Sequence, residues 1–369
     1  MLNSVMRILL LAAFAASLAC AAPRIETGEI NGAKFRIDVP DNWNGGLIMY
    51  CHGYSAAPAS YDTKPNPAMA GLVGQGFAVA MSGYSAGGWA IEEAVQDTQA
   101  LRRYFARKYG APKETYVTGH SMGGFLTMML LENFPNDYDG GLALCGPLAP
   151  ATLFMSRNVF DMRVVFDYWF PGVLPPPDNV PADYLMTPAV NQKVMAALDA
   201  KPAAAEAFRR WAAQRTNKEA AGTLAFFTFI LKDLQQRSGG NPFDNRNTIY
   251  AGTPDDNALN DGVQRYAANP RAAEYVRTWY TPTGRLSRPM LAIHTTYDQL
   301  VPPWVPDTYA ILAEQGGGAP WFVQQYVKRP GHCAITPDEI MRGFTSLRAW
   351  KMEGRRPAGG PAASAASAR

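Results

Sequence analysis

The chain has 369 residues, of which 47% are hydrophobic and 18% charged, with a formal net charge of +3. That balance suits a globular protein with a sizeable core, arranged as one large domain with an insertion or as two domains. Basic residues are scattered, with a few in the tail, which argues against a nucleic-acid-binding surface.

A targeting segment comes first. Arg7 precedes the apolar run "ILLLAAFAASLA", and small residues follow in "ACAAP". This is the charged, apolar and cleavage-site order of a secretory signal, here residues 1–22. The run is too short to span a bilayer comfortably, so no stable membrane span is expected once it is removed. Cleavage is expected after Ala21 or Ala22, placing the mature chain outside the cell or in a periplasm. A lipoprotein acylated at Cys20 is the competing reading, and "SLA" is a poor lipobox for it.

"RIETGEINGAKFRIDVP" reads as two strands joined at Asn31-Gly32, a type I′ hairpin signal. "GGLIMYCHGY" and "GFAVAMSGYS" are buried strands with a segment of helical character between them. "AIEEAVQDTQALRRYFARKYG" is a helix: Val95, Leu101, Tyr104 and Phe105 fall near helical spacing, acids come early, bases late, and Gly110 stops it. "ETYVTGHS" is a strand running into a tight turn, "MGGFLTMMLLENF" a helix ending before Pro135, and "GGLALCGP" the next buried strand. The alternation predicts a parallel sheet with helices on both faces. It resumes at "RPMLAIHTTYD", followed by a helix near "VPDTYAILAEQGG", the strand "WFVQQYVKR" and the helix "TPDEIMRGFTSLRAWK". Residues 23–147 and 289–353 therefore form the core. Residues 148–288 are rich in helix formers and aromatics and read as a helical cap. Residues 354–369 are low in complexity and are expected to be disordered.

Two stretches fit the nucleophile-elbow pattern G-x-S-x-G: Gly119 to Gly123 around Ser121, and Gly83 to Gly87 around Ser85. The pattern alone is weak, and context decides between them. An elbow needs a strand, a strained turn flanked by glycines, and then a helix whose N–H groups face the developing anion. Ser121 has all three. Ser85 is separated from the next helix by Gly87, Gly88 and Trp89, and "GYSAGG" reads instead as a flexible loop bordering the site.

A serine nucleophile needs a base, and the base needs an orienting acid. The chain has four histidines. His52 opens the loop after "LIMYC", His120 lies inside the elbow, and His294 falls within a strand, where it is expected to pack in the sheet. Only His332 sits on a loop at the carboxyl edge of the sheet and also after the acid candidate, and that edge is where ligands collect in open α/β sheets. Asp298 ends a late strand and is the candidate acid, whereas Asp307 looks like a helix-start acid. The order Ser121, Asp298, His332 is that of an α/β-hydrolase triad.

"GHSMGG", "HTTYDQLVPP" and "PGHC", with "CHGY" upstream, resemble a secreted α/β-hydrolase of the esterase/lipase type. The resemblance covers the chain apart from the signal, the tail and most of the cap. It implies an α/β-hydrolase fold, with a mostly parallel doubly wound sheet and a large helical cap inserted between late strands. It also implies an oxyanion hole made by the backbone N–H of Met122 and a second N–H at Gly53 or Tyr54, with His52 bracing that loop. Cys333 further resembles the cysteine that follows the catalytic histidine in the tannase and feruloyl esterase family. Its partner there precedes the catalytic serine, a position that is His120 here, so that pair is ruled out; a bond from Cys333 to Cys145 or to Cys51, and three unpaired cysteines buried near strand ends, are the open readings.

The expected activity is hydrolysis of a small-molecule or polymer-derived carboxylic ester, with no cofactor and no metal. A peptidase or amidase on the same fold, or an inactive binding module, are the competing readings. The cap aromatics in "FDYWF" and "AFFTFI" either line an acyl or aryl pocket or form core. "TLAFFTFIL" suits a lipase-like lid if it is exposed.

Overall fold

The structure is a computed structural model and describes residues 24–64 and 67–362. The signal-sequence reading therefore lies outside the described residues. Strands β1 (Arg24–Ile30) and β2 (Ala33–Val39) form the expected hairpin. Asn31 and Gly32 both take positive φ, 52° and 84°, as a type I′ turn requires. Then follow β3 (Gly46–Cys51), α1 (Pro67–Gly74), β4 (Ala78–Ser82), α2 (Ile91–Tyr109), β5 (Glu114–His120), α3 (Met122–Asn133) and β6 (Gly140–Leu144).

Between β6 and the next strand, all regular structure is helical. It comprises α4 (Ala151–Leu153), a π-helical turn (Phe154–Phe160), α5 (Asp161–Trp169), α6 (Pro188–Ala200), α7 (Pro202–Trp211), α8 (Asn217–Ser238), α9 (Asp256–Gly262) and α10 (Pro270–Trp279). Local chemistry marks these helices. Thr187, Thr216, Asp255 and Asn269 cap the first N–H groups of α6, α8, α9 and α10, and proline opens α6, α7 and α10. Each side-chain cap satisfies a donor that would otherwise lack a partner and is worth about 1 kcal/mol. The core resumes with β7 (Met290–Tyr297), α11 (Trp304–Gly316), β8 (Phe322–Pro330), α12 (Pro337–Glu353) and the short β9 (Gly360–Pro361).

The strands make one nine-stranded sheet in the order β1-β2-β4-β3-β5-β6-β7-β8-β9. Only β1–β2 and β2–β4 pair antiparallel. Helices α2, α3 and α11 pack on one face and α1 and α12 on the other. This is the mostly parallel, doubly wound sheet expected from the sequence. The carboxyl ends of β3, β5, β6, β7 and β8 gather at one edge, and the cap helices pack over that edge on the α2–α3 side.

The tail differs from expectation. Gly360 pairs with Gln325 of β8, Ala362 N donates to Tyr326 O at 2.8 Å, and Gln325 Nε2 donates to Ala358 O at 2.8 Å. Unpaired backbone groups on the outer edge of β8 supply the partners, a pull that low-complexity composition does not reveal. Residues 363–369 lie outside the described residues.

Candidate active site

Ser121 sits between β5 and α3 with φ 57° and ψ −121°, a strained conformation for a residue with a Cβ. Its N–H donates to Leu144 O at 2.9 Å, tying the turn to the end of β6, and its carbonyl accepts from Gly124 N at 2.8 Å. The flanking glycines are required by the neighbouring strand. A Cβ on Gly119 or on Gly123 would overlap the carbonyl oxygen of Cys51 at the end of β3. Gly123→Ala is therefore expected to destabilise the protein by roughly 1–3 kcal/mol or more, because backbone cannot yield cheaply. It is also expected to lower turnover by moving the serine. Thermal unfolding and kcat measured together check both effects.

The sheet edge brings the three candidate catalytic residues together across 211 residues of chain. His332 Nε2 lies 2.8 Å from Ser121 Oγ, and His332 Nδ1 lies 2.7 Å from Asp298 Oδ2. With Nδ1–H donating to the carboxylate, Nε2 presents its lone pair to the serine hydroxyl. Asp298 is 2% exposed. Its second oxygen accepts from Leu300 N and Val301 N, both at 2.9 Å, so the "DQLV" turn aims the carboxylate.

His294 packs in the sheet as expected, with a contact that sequence did not suggest. Its Nε2 donates to Val301 O at 2.8 Å and lies 3.7 Å from Asp298 Oδ2. Burial lowers its pKa against the pull of Asp298. His120 turns to Tyr50, with Nδ1 3.2 Å from the phenol oxygen, and burial together with nearby His332 pushes it down to about 4. His52 stacks on Tyr84, ring centroids 4.0 Å apart, and its Nδ1 bonds Gly53 O at 2.6 Å. That bond braces the loop containing Gly53 and Tyr54. A Cβ on Gly53 would stand 3.2 Å from His120 O and 3.4 Å from Ser121 Cβ, so this loop lies against the nucleophile turn. Met122 opens α3, and its N–H is one of the helix's first, without an acceptor inside the helix.

Ser85 takes no part in this group. Its N and Oγ both donate to Asp97 Oδ2, at 2.7 and 2.8 Å. The loop around it was expected to be flexible, but it is pinned. Gly83 N donates to Lys34 O, Ala59 N to Gly83 O and Gly88 N to Ser55 O. Asp233 and Arg237 of α8 hold its far end: Trp89 N donates to Asp233 Oδ2 at 2.6 Å, and Arg237 donates to Gly87 O and pairs with Glu93 at 2.9 Å.

Cys333, directly after His332, is bonded to Cys145 just past β6, and Cys51 is free and buried.

Beside Ser121 and His332 lies a cavity of about 260 Å³, lined by Tyr54, Trp89, Phe154, Phe226, Phe227 and Ile230 among others. Of the two aromatic stretches weighed in the cap, "AFFTFI" lines it, whereas Phe166 and Phe170 of "FDYWF" are buried core, stacked with centroids 5.1 Å apart. "TLAFFTFIL" is the middle of α8 and mostly buried, so it is not exposed as a lid would be. Trp89 and the π-helical turn were not singled out from sequence as parts of a pocket. The π turn rotates Phe154, Met155 and Val159 toward the cavity, and such turns recur at functional sites.

Residues 45–218 match the family described as serine aminopeptidase, S33. The o-phthalyl amidase of Xanthobacter agilis is 28% identical over 153 residues, 39% of this chain and 30% of that protein. Among solved structures, Pyrococcus horikoshii acylaminoacyl peptidase is 12% identical with a TM-score of 0.48, covering 91% of this chain and 42% of that one. Feruloyl esterase B of Aspergillus oryzae is 15% identical with a TM-score of 0.48, covering 89% and 80%. The chain thus spans less than half the length of the amidase and of the peptidase.

Proposed function

We propose, on the premise that this chain is an α/β-hydrolase and a serine hydrolase, that it cleaves carboxylic esters through an acyl-enzyme on Ser121. The observation that carries this is the relay from Ser121 Oγ to His332 Nε2 at 2.8 Å and from His332 Nδ1 to Asp298 at 2.7 Å. In this reading Ser121 Oγ attacks the acyl carbon while His332 takes its proton. The backbone N–H of Met122, with that of Gly53 or Tyr54, receives the oxyanion, each such bond contributing about 3 kcal/mol toward the transition state. His332 then protonates the leaving alcohol and activates water for deacylation, and Asp298 stabilises the charged imidazole.

The apolar cavity suits a compact acyl or aryl group on the substrate. Among the described residues its lining offers no carboxylate to hold a free amine, which supports esters over aminopeptidase substrates. Amide cleavage is the second reading, favoured by the amidase relative. A secreted or periplasmic location is part of the proposal, supported by the Cys145–Cys333 bond, since disulfides persist in oxidising compartments.

Labelling the purified protein with a fluorophosphonate, followed by peptide mass mapping, tests the nucleophile. An adduct on Ser121 supports the reading, and a well-folded protein with no labelled serine brings the binding-module reading forward. Matched aryl esters and anilides of one acid then separate esterase from amidase by kcat/KM. Asp298→Asn should cut kcat by about 10⁴-fold by favouring the wrong imidazole tautomer. Near-normal turnover in that variant would move the acid elsewhere.

A further inference from the structure

Asp298 is aimed by the turn that follows it. Its Oδ1 accepts from Leu300 N and Val301 N, both at 2.9 Å, while its Oδ2 meets His332 Nδ1 at 2.7 Å. The carboxylate is thus tied to the backbone of residues 299–301, and a shift of that backbone moves the oxygen that faces the imidazole. Side chains hold the backbone in turn. Three successive carbonyls each accept from a buried donor: Gln299 O from Gln214 Nε2 at 3.1 Å, Leu300 O from Asn158 Nδ2 at 3.0 Å, and Val301 O from His294 Nε2 at 2.8 Å. Gln214 and Asn158 are each 6% exposed and His294 3%. Among the described residues no backbone N–H reaches these three carbonyls.

Two of the three donors come from the cap. Asn158 lies on the π-helical turn, 142 residues before its partner, and Gln214 lies between α7 and α8, 85 residues before its own. The Gln214 amide is oriented for this: its Oε1 accepts from Thr223 Oγ1 of α8 at 3.1 Å, which turns Nε2 to the acid's turn. The same part of the cap grips the residue before the acid. Tyr297 donates to Glu219 Oε2 at 2.6 Å, and the Arg215 guanidinium stacks 3.6 Å from the centre of its ring. Burying two amides costs desolvation and side-chain freedom, which the bonds they make must offset. The π turn that carries Asn158 also lines the cavity through Phe154, Met155 and Val159, and so do Leu300 and Val301. The wall of the cavity and the support of the acid are therefore one continuous structure.

We propose that Asn158 and Gln214 are positioning residues: through them the cap holds the turn that aims Asp298 at His332, so the cap completes the catalytic group as well as bounding the cavity. This rests on the reading of Ser121, His332 and Asp298 as nucleophile, base and acid. Without either amide one carbonyl of the turn loses its anchor, and a misplacement of about 1 Å in such a group costs on the order of 10²-fold in rate.

The test follows the reaction of the full-length protein with a fluorophosphonate, in which Ser121 Oγ displaces fluoride from phosphorus and its proton passes to His332. The limiting rate of inactivation, kinact, reads the alignment of the catalytic group, and the half-saturating concentration, KI, reads the cavity. Asn158→Leu and Gln214→Met remove the donors at nearly constant volume, and Asn158→Ala replaces the first if leucine abolishes the cooperative thermal transition used as the folding control. Each single variant should lower kinact by about 10–100-fold and leave KI within about threefold of the wild type. Added to Asp298→Asn, each should change kinact by less than about twofold more, because no carboxylate then remains to be aimed. A kinact close to wild type in both variants, an effect confined to KI, or losses that multiply in the Asp298→Asn background would overturn the proposal. The two levels separate in the wild type: an adduct on Ser121 beside unaffected variants removes this inference alone, and folded protein with no adduct on Ser121 removes the hydrolase reading with it.

Discussion

Ser121→Ala is expected to lower kcat by at least about 10⁴-fold while leaving the thermal unfolding midpoint near that of the wild type. Both halves follow from the geometry. Among the described residues the hydroxyl's side-chain partner is His332 Nε2, and the strained turn is held by backbone bonds to Leu144 and Gly124, which alanine keeps. Ser85→Ala is the matched control and has the opposite profile. Its hydroxyl is spent on Asp97, so its loss should cost about 1 kcal/mol of stability and little turnover. Steady-state kinetics and thermal unfolding of both variants decide the matter. Retained activity in Ser121→Ala with loss in Ser85→Ala would reverse the assignment of the elbow.

The second large effect is expected from the disulfide. Replacing Cys145 and Cys333 together by serine should destabilise the protein by roughly 2–5 kcal/mol, since the bond closes a loop of 188 residues. It should also lower kcat by about 10–100-fold. Cys333 follows the base, and Cys145 follows Leu144, whose carbonyl holds the backbone of Ser121. The bond therefore fixes the separation of the proposed base and nucleophile, and a displacement of about 1 Å at such a pair is enough for losses of that order. Unfolding in denaturant reads the first effect and saturating turnover at low temperature the second. An unchanged kcat beside reduced stability would make the bond a structural staple alone.

The core was legible in sequence because period-two and helical patterns report burial directly. Asn31-Gly32, the Gly110 stop and the turn around Ser121 are local rules that need no tertiary knowledge. With so few histidines, the position of His332 after a late strand singled it out. The choice between Cys145 and Cys51 did not yield to such rules, because it depends on which strand end lies nearest the loop after β8. β6 and β8 flank β7, and the bond reaches over Asp298's own strand from one neighbour to the other. Trp89 escaped notice for a similar reason. Its loop looks like glycine-rich slack until Asp233 and Arg237, some 140 residues later, pin it against the cap. Both α8 and α5 are rich in aromatics, and only packing shows that Phe226 and Phe227 reach the cavity while Phe166 does not. The tail strand depends on the open edge of β8, which its own residues do not encode.

The helices between β6 and β7 also set a timetable. Ser121 and its strand stand before them in the chain, and Asp298 and His332 stand after. A chain made from its amino end holds the proposed nucleophile long before it holds the proposed base or acid. The first six strands can assemble by short-range steps, but closing the catalytic group waits for the whole insert and two further strands, a long-range step that is intrinsically slow. On the proposed roles, a chain that ends before β7 lacks both base and acid, and the group can close only once the insert, β7 and β8 have been made.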